Sequence, residues 1–273
     1  MAYFERLSES MFRATEHVGG AWNIAEQHIA PSFGLLVHCI ETDRDIRRSD
    51  GPVIGRVSFD ILGTVPVGVV ETTVEVLRGG RTIELVQATL RHDGRTIVIA
   101  RAWLMQTRDT AALAGSPLPA IPGPGEMPSW DPTTVWQGGY IASAEVRRLD
   151  LGPGRASYWV RTAQPLLEGE AVSKLASAAT LFDIANGMAV RVDPTEVAYP
   201  NLDLTVHLFD EPRTVDYRAS VKDISEYLLT LMQDPELRKK MGLAGRKRVV
   251  ENFDYRVVAR RFVQIMQDKL GIA

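Results

Sequence analysis

Between residues 53 and 107 the hydrophobic positions fall on alternate residues. Val70, Thr72, Val74 and Val76 alternate with Glu71, Thr73 and Glu75, the period-two pattern of a strand with one buried face. Gly79-Gly80 and Asp93-Gly94 supply two-residue turns that tolerate positive φ. The segments 66–78, 81–92 and 95–106 therefore read as a meander of long antiparallel strands, preceded by a strand over 53–62 (VIGRVSFDIL). PSFGLLVHCIETD (31–43) reads as a helix with Pro31 near its start and apolar residues on most sides. A helix of that kind is buried, so the pattern predicts a sheet curled around a helix.

The order then restarts. Residues 109–135 form a connector rich in proline (Pro117, Pro119, Pro122, Pro124, Pro128) and glycine, with little to bury. Beyond it, YIASAEVRRLDL (140–151) and RASYWVR (155–161) are strand-like, AVSKLASAATLFDIANG (171–187) is an apolar helix with Gly187 as its stop, and NLDLTVHL (201–208) is a further strand. The two halves share a helix-then-strand plan, but the second has one clear strand after its helix where the first has four. From Ser220 the pattern is purely helical. Ile224, Tyr227, Leu228, Leu231 and Met232 keep helical spacing, Asp234-Pro235-Glu236 is a helix start, and Asp254 can cap a last helix.

Composition adds a seam to this plan. The 273 residues carry a formal net charge of −3. Residues 1–212 hold 18 Lys+Arg against 26 Asp+Glu, a balance of −8, whereas residues 213–273 hold 13 against 8, a balance of +5. Lys174 is the single lysine of the first segment, while the second has five. Such asymmetry marks either a tail that meets acidic partners or two segments of different origin. Near-neutral overall charge argues against a dedicated nucleic-acid binder. One cysteine excludes an intrachain disulfide and a cysteine-rich zinc site, and the five histidines show no metal-ligand spacing. No apolar run is long enough for a membrane span and the acidic start MAYFERLSES is unlike a signal peptide, so a cytoplasmic location is expected.

Residues 18–210 resemble the acyl-CoA thioesterase-like family with a double hotdog fold. The resemblance rests on Trp22 followed by Gln27-His28 and a proline-led helix, on GRVSFDILGTVPVG, RGGRTIELVQATL and ARAWLM, and then on YWVR, PLLEGE, Asp183-Ile-Ala-Asn186-Gly187 and NLDLTVHL. It implies an α+β fold in which long antiparallel strands wrap central helices: a first repeat over 1–108, the connector 109–135, and a second repeat over 136–212 that is truncated. Residues 214–273 are similar to the C-terminal helices of retaining glycosyltransferases built from two Rossmann-like domains, through DPELRKKMG, GRKRV and ENFDY. An all-helical tail over 213–273 follows. The donor-site region that should precede such a tail is absent, so sugar-nucleotide chemistry does not follow from it.

The implied chemistry is hydrolysis of an acyl-CoA thioester, with no cofactor and no metal. It needs a base for water and a donor for the carbonyl. Asp183 matches the family's catalytic aspartate; on an otherwise apolar helix it is either that site carboxylate or one bonded to nearby backbone or Asn186. Asn201 either orients the water beside it or makes a strand-start turn contact. The glutamine that the family places on its final strands has no counterpart to carry over. Trp22, Gln27, His28, Asn186 and Gly187 are substrate-binding candidates; Gln27 and His28 precede the helix, where its dipole and backbone donors can meet an acyl carbonyl. The family follows this Gln-His pair with glycines, whereas Ile29 and Ala30 stand here, and His28 reads more readily as a structural residue than as a catalytic one. His38 and Cys39 read as core or interface residues. Arg238-Lys239-Lys240 and Arg246-Lys247-Arg248 read as a solvated helix face. Acyl-CoA is the expected partner, and association into a homo-oligomer through the hotdog sheets is consistent with the fold. A non-catalytic acyl-CoA-binding module, or a chimera, fits the same residues.

Overall fold

The computed structural model describes residues 1–115 and 120–210, together with Pro235, Glu236, Lys239, Lys240 and Leu243, which are helical and exposed. The chain divides into two units, 1–226 and 227–273. The helices read over 213–273 otherwise lie outside the described residues.

Two short strands that the hydrophobic pattern did not reveal open the chain, β1 (Phe4–Arg6) and β2 (Met11–Ala14). The long helix α1 (Ile29–Arg47) exceeds the predicted 31–43 at both ends. Its apolar residues Phe33, Leu35, Leu36, Val37 and Ile40 are fully buried, as a helix apolar all round requires. The meander follows as β3 (Val53–Ile61), β4 (Val69–Arg78), β5 (Ile83–His92) and β6 (Arg95–Met105). Asp93 and Gly94 both take positive φ, 48° and 76°, in the β5–β6 turn. The expectation of positive φ at Gly79-Gly80 fails: neither residue takes it, because the connection spans the four residues 79–82 and needs no primed two-residue turn.

The connector is more structured than its prolines predict. It contributes β7 (Ser129–Trp130) and buries Met127 and Pro132, with Trp136 buried just beyond it. The stretch read as a strand over 140–151 begins with a helical turn, α2 (Gly139–Ala142), before β8 (Ala144–Asp150) and β9 (Ala156–Thr162). The helix read over 171–187 is broken into α3 (Lys174–Ala179) and a 3-10 segment, Phe182–Met188, which runs through Gly187 rather than stopping there. At the break Tyr140 Oη donates to the Thr180 carbonyl at 2.8 Å, and near the end of the 3-10 segment Trp136 Nε1 donates to the Gly187 carbonyl at 3.1 Å. Carbonyls occupied from the side loosen the regular ladder.

The last described strand, β10 (Asp203–His207), does not join β8 and β9. It pairs antiparallel with β3, Thr205 opposite Ser58, at the edge of a seven-stranded sheet ordered β1-β2-β4-β5-β6-β3-β10, while β7-β8-β9 form a separate sheet. Among the described residues no strand pairs with the far edge of β10 or of β9. The two halves also meet through paired glycines. Gly20 and Gly138 have φ of 123° and 111°, and a Cβ on either would lie 2.2 Å from a backbone oxygen of the other strip, that of Gln137 or Gly19. Tyr140 N–H donates to the Gly19 carbonyl at 3.0 Å across the same junction.

Candidate functional site

One cavity of about 330 Å³ opens between the start of α1, the end of β3 and the 3-10 segment 182–188. Its wall contains Asp183, Asn201, Trp22, Gln27, His28, Asn186 and Gly187, all seven residues that the sequence singled out. They come from both halves of the chain.

Asp183 sits in the first turn of the 3-10 segment, buried among Phe182, Ile184 and Met188. Burial pushes its carboxyl up from the usual 3.8 to about 7, and a hydrogen bond from Asn201 Nδ2 to Oδ1 opposes part of that rise. Asn201 in turn accepts from Asn186 Nδ2 at 2.8 Å. An exposed amide, a half-buried amide and a buried carboxyl thus form a relay into the cavity. Asn201 is held because it lies two residues before β10, itself anchored on β3, and Leu202 between them accepts from Ile61 N–H at 2.8 Å.

The start of α1 contributes a further part of the wall. His28 is its N-cap: Nδ1 accepts from Ala30 N–H at 3.2 Å, and the ring stacks on Tyr140 at 4.1 Å between centroids. Burial lowers the imidazole to about 3, so His28 is neutral and carries its proton on Nε2. The capping bond is a structural duty. Pro31 has no N–H, Ala30 N–H is taken by His28, and His28 N–H donates to Val18. Among the described residues this leaves Ile29 N–H, whose residue lines the cavity, without a hydrogen-bond partner at the positive end of a 19-residue helix. Gln27 is buried, with Nε2 donating to the Pro66 carbonyl at 2.9 Å.

Trp22 and Trp136 of the cavity wall form an aromatic cluster with Tyr199. Trp22, 40% exposed, meets Trp136 edge-on at 5.0 Å and Tyr199 edge-on at 5.3 Å. Gly187 permits the close approach of Trp136, since a Cβ there would lie 3.1 Å from Nε1. Trp136 and Tyr199 were not singled out in the sequence; the glycine pair at 138–139, which repeats the pair at 19–20, was the available signal for Trp136.

The family model of the acyl-CoA thioesterase N-terminal domain matches residues 18–105, and that of the C-terminal domain matches residues 112–244. The chain belongs to the acyl-CoA thioesterase-like family. In this thioesterase-like chain the family match runs past residue 212, into the segment read as a helical tail. Solved structures show the same hotdog fold. A conserved protein of unknown function from Alicyclobacillus acidocaldarius is 13% identical, with 77% of each chain covered and a TM-score of 0.56. A candidate thioesterase from Novosphingobium aromaticivorans is 22% identical, covering 77% of this chain and 82% of its own, with a TM-score of 0.53. A candidate thioesterase II from Thermobifida fusca is 19% identical, covering 77% and 79%, with a TM-score of 0.52. No curated protein matches the chain.

His38 and Cys39 lie away from the cavity of this thioesterase-like protein. Arg6 grips Glu170 through Nε and Nη2 at 2.7 and 2.9 Å and approaches His38 Nε2 at 3.3 Å. Burial raises the Cys39 thiol and lowers the His38 imidazole, the opposite of what a thiolate nucleophile requires. No cluster of metal-ligating side chains occurs among the described residues, and none of the described helices is long and apolar enough to cross a membrane.

Proposed function

We propose that the chain hydrolyses acyl-CoA thioesters in this cavity, with Asp183 as general base. The observation that carries the reading is that the Asp183–Asn201 pair and Ile29, the first residue of α1 with its N–H unpartnered, line the same cavity. In the reaction, ionised Asp183 takes a proton from water while the water oxygen bonds to the thioester carbonyl carbon. Negative charge develops on the carbonyl oxygen and is met by Ile29 N–H at the positive end of α1. Collapse breaks the C–S bond, and the CoA sulfur leaves with the proton from Asp183, giving a carboxylic acid and free thiol. A base near pH 7 is matched to this task. Asn201 donates to one carboxylate oxygen and so leaves the other for water. Trp22 and Gly187, with Trp136, line the cavity that the substrate enters.

The test is release of free thiol from acyl-CoAs of several chain lengths, with wild type and Asp183→Asn. Release that depends on Asp183 supports the assignment. Tight acyl-CoA binding with no Asp183-dependent release instead supports the second reading, a binding module, which the absence of further strands beside β9 and β10 among the described residues favours.

A further inference from the structure

Tyr140 is fully buried and does not line the cavity, yet its side chain touches the supports of two parts of the site. Its ring stacks on the His28 imidazole, centroids 4.1 Å apart and planes inclined by 26°, and His28 caps the helix whose first residue is Ile29. Its hydroxyl donates to the Thr180 carbonyl at 2.8 Å, three residues before Asp183. Its own N–H is fixed by the Gly19 carbonyl at 3.0 Å. Burial raises the phenol well above its usual 10, so Oη keeps the proton it donates.

At the Thr180 carbonyl two turn geometries part. In a continuous α-helix it would accept from Ile184 N–H, four residues on. Here Ile184 N–H donates to the Leu181 carbonyl at 3.4 Å, the three-residue reach of a 3-10 turn. A 3-10 turn advances each residue by about 20° more than an α-helix, so the two geometries place Asp183 about 60° apart around the axis relative to Thr180. Thr180 is also wedged against α1, since a Cβ on Gly34 would lie 2.5 Å from Thr180 Cγ2.

We propose that Tyr140 is a positioning residue for thioester cleavage: by occupying the Thr180 carbonyl, its hydroxyl holds residues 181–184 in the turn that aims Asp183 at Asn201, while its ring braces the His28 cap of α1. The inference rests on the thioesterase reading of the cavity. Tyr140→Phe keeps the ring and removes the donor. The freed carbonyl then takes Ile184 N–H, the turn rewinds, and Asp183 swings away from Asn201.

The experiment measures thiol release from butyryl-, octanoyl- and palmitoyl-CoA by wild type, Tyr140→Phe, Asp183→Asn and the double variant. Misplacing the base lowers kcat by about ten- to hundredfold in Tyr140→Phe, while KM stays within about twofold. On the Asp183→Asn background Tyr140→Phe has no further effect, because the carboxylate it acts through is gone. Tyr3→Phe is the control: it removes another buried hydroxyl, bonded to Ser143 and Thr162, and leaves kcat at the wild-type value. A wild-type kcat in Tyr140→Phe overturns the proposal. So does an equal loss in Tyr3→Phe or on the Asp183→Asn background, either of which marks general damage. Should Tyr140→Phe not fold, 4-aminophenylalanine and 4-fluorophenylalanine at position 140 replace it. Both fill the space of tyrosine, and only the first, a donor, retains kcat; equal rates for the two count against the proposal. If wild type releases no thiol, the thioesterase reading fails, and the hold on the turn is read by hydrogen exchange. The Ile184 amide then exchanges more slowly in Tyr140→Phe than in wild type, relative to the amides of α3, and an unchanged rate refutes the hold.

Discussion

Asn201 donates its side-chain amide to Asp183 Oδ1, joining the strip before β10 to the 3-10 segment that ends the second apolar helix. The bond ties the carboxyl to the first repeat's sheet, because β10 is paired with β3.

Replacing Asp183 by Asn keeps the shape and removes the base. Thiol release should fall by about 10²–10⁴-fold, while acyl-CoA affinity, measured by calorimetry, changes little. An Asp183→Asn variant that releases thiol at the wild-type rate would remove Asp183 from the mechanism.

The pH dependence has a definite sign. Asp183 titrates near 7 when folded and has an ordinary value of 3.8. The base works only when ionised, so kcat/KM should rise with pH through a midpoint near 7. Stability runs the other way: between the two values the folded state holds a proton that the unfolded chain has released, so stability is lost as pH rises from about 4 to about 7. Three pKa units correspond to about 4 kcal/mol. Asp183→Asn should therefore be more stable than wild type at pH 8, and the gap should close below pH 4; denaturant melts at the two pH values measure this.

Gly138→Ala should destabilise the protein by about 3 kcal/mol or more. The added Cβ meets the Gly19 carbonyl oxygen at 2.2 Å, with φ at 111°, and neither the backbone contact nor the left-handed φ can relax cheaply. Gly94→Ala has open space around its Cβ and strains φ alone, so its thermal shift should be clearly smaller.

Glu84 is a buried carboxylate held by Arg47 at 2.8 Å and Arg48 at 3.3 Å. Changing both arginines to Met strands that charge and should cost about 3–5 kcal/mol. Adding Glu84→Leu should recover at least half of the loss; a triple variant no more stable than the double would contradict this account.

The first repeat was legible in the sequence because each of its strands buries one face and announces it by alternation, as Val70 to Val76 do. The site residues were legible through the Gln27-His28 and Asp183–Gly187 motifs. What stayed hidden depends on partners far along the chain. The break after Ala179 coincides with a donor from Tyr140 on the Thr180 carbonyl, which no local propensity encodes. β1 and β2 are three and four residues long, too short for a period to register. The pairing of β10 with β3 is likewise a tertiary choice: NLDLTVHL is as good a strand in either sheet. Ile29 N–H escaped notice because Ile29 occupies a position where glycine was expected, yet the donor belongs to the backbone and survives the substitution.

That pairing also sets a timetable. Hairpins β4–β5 and β5–β6 close locally and can form while synthesis continues. β3, by contrast, waits for a partner about 145 residues further on, the separation of Ser58 from Thr205. At ribosomal speeds of about 5–20 residues per second this is a delay of about 7–30 s, during which one edge of the first sheet stands bare to other chains. The edge of β3 is thus covered by the same few residues that bring Asn201 to Asp183.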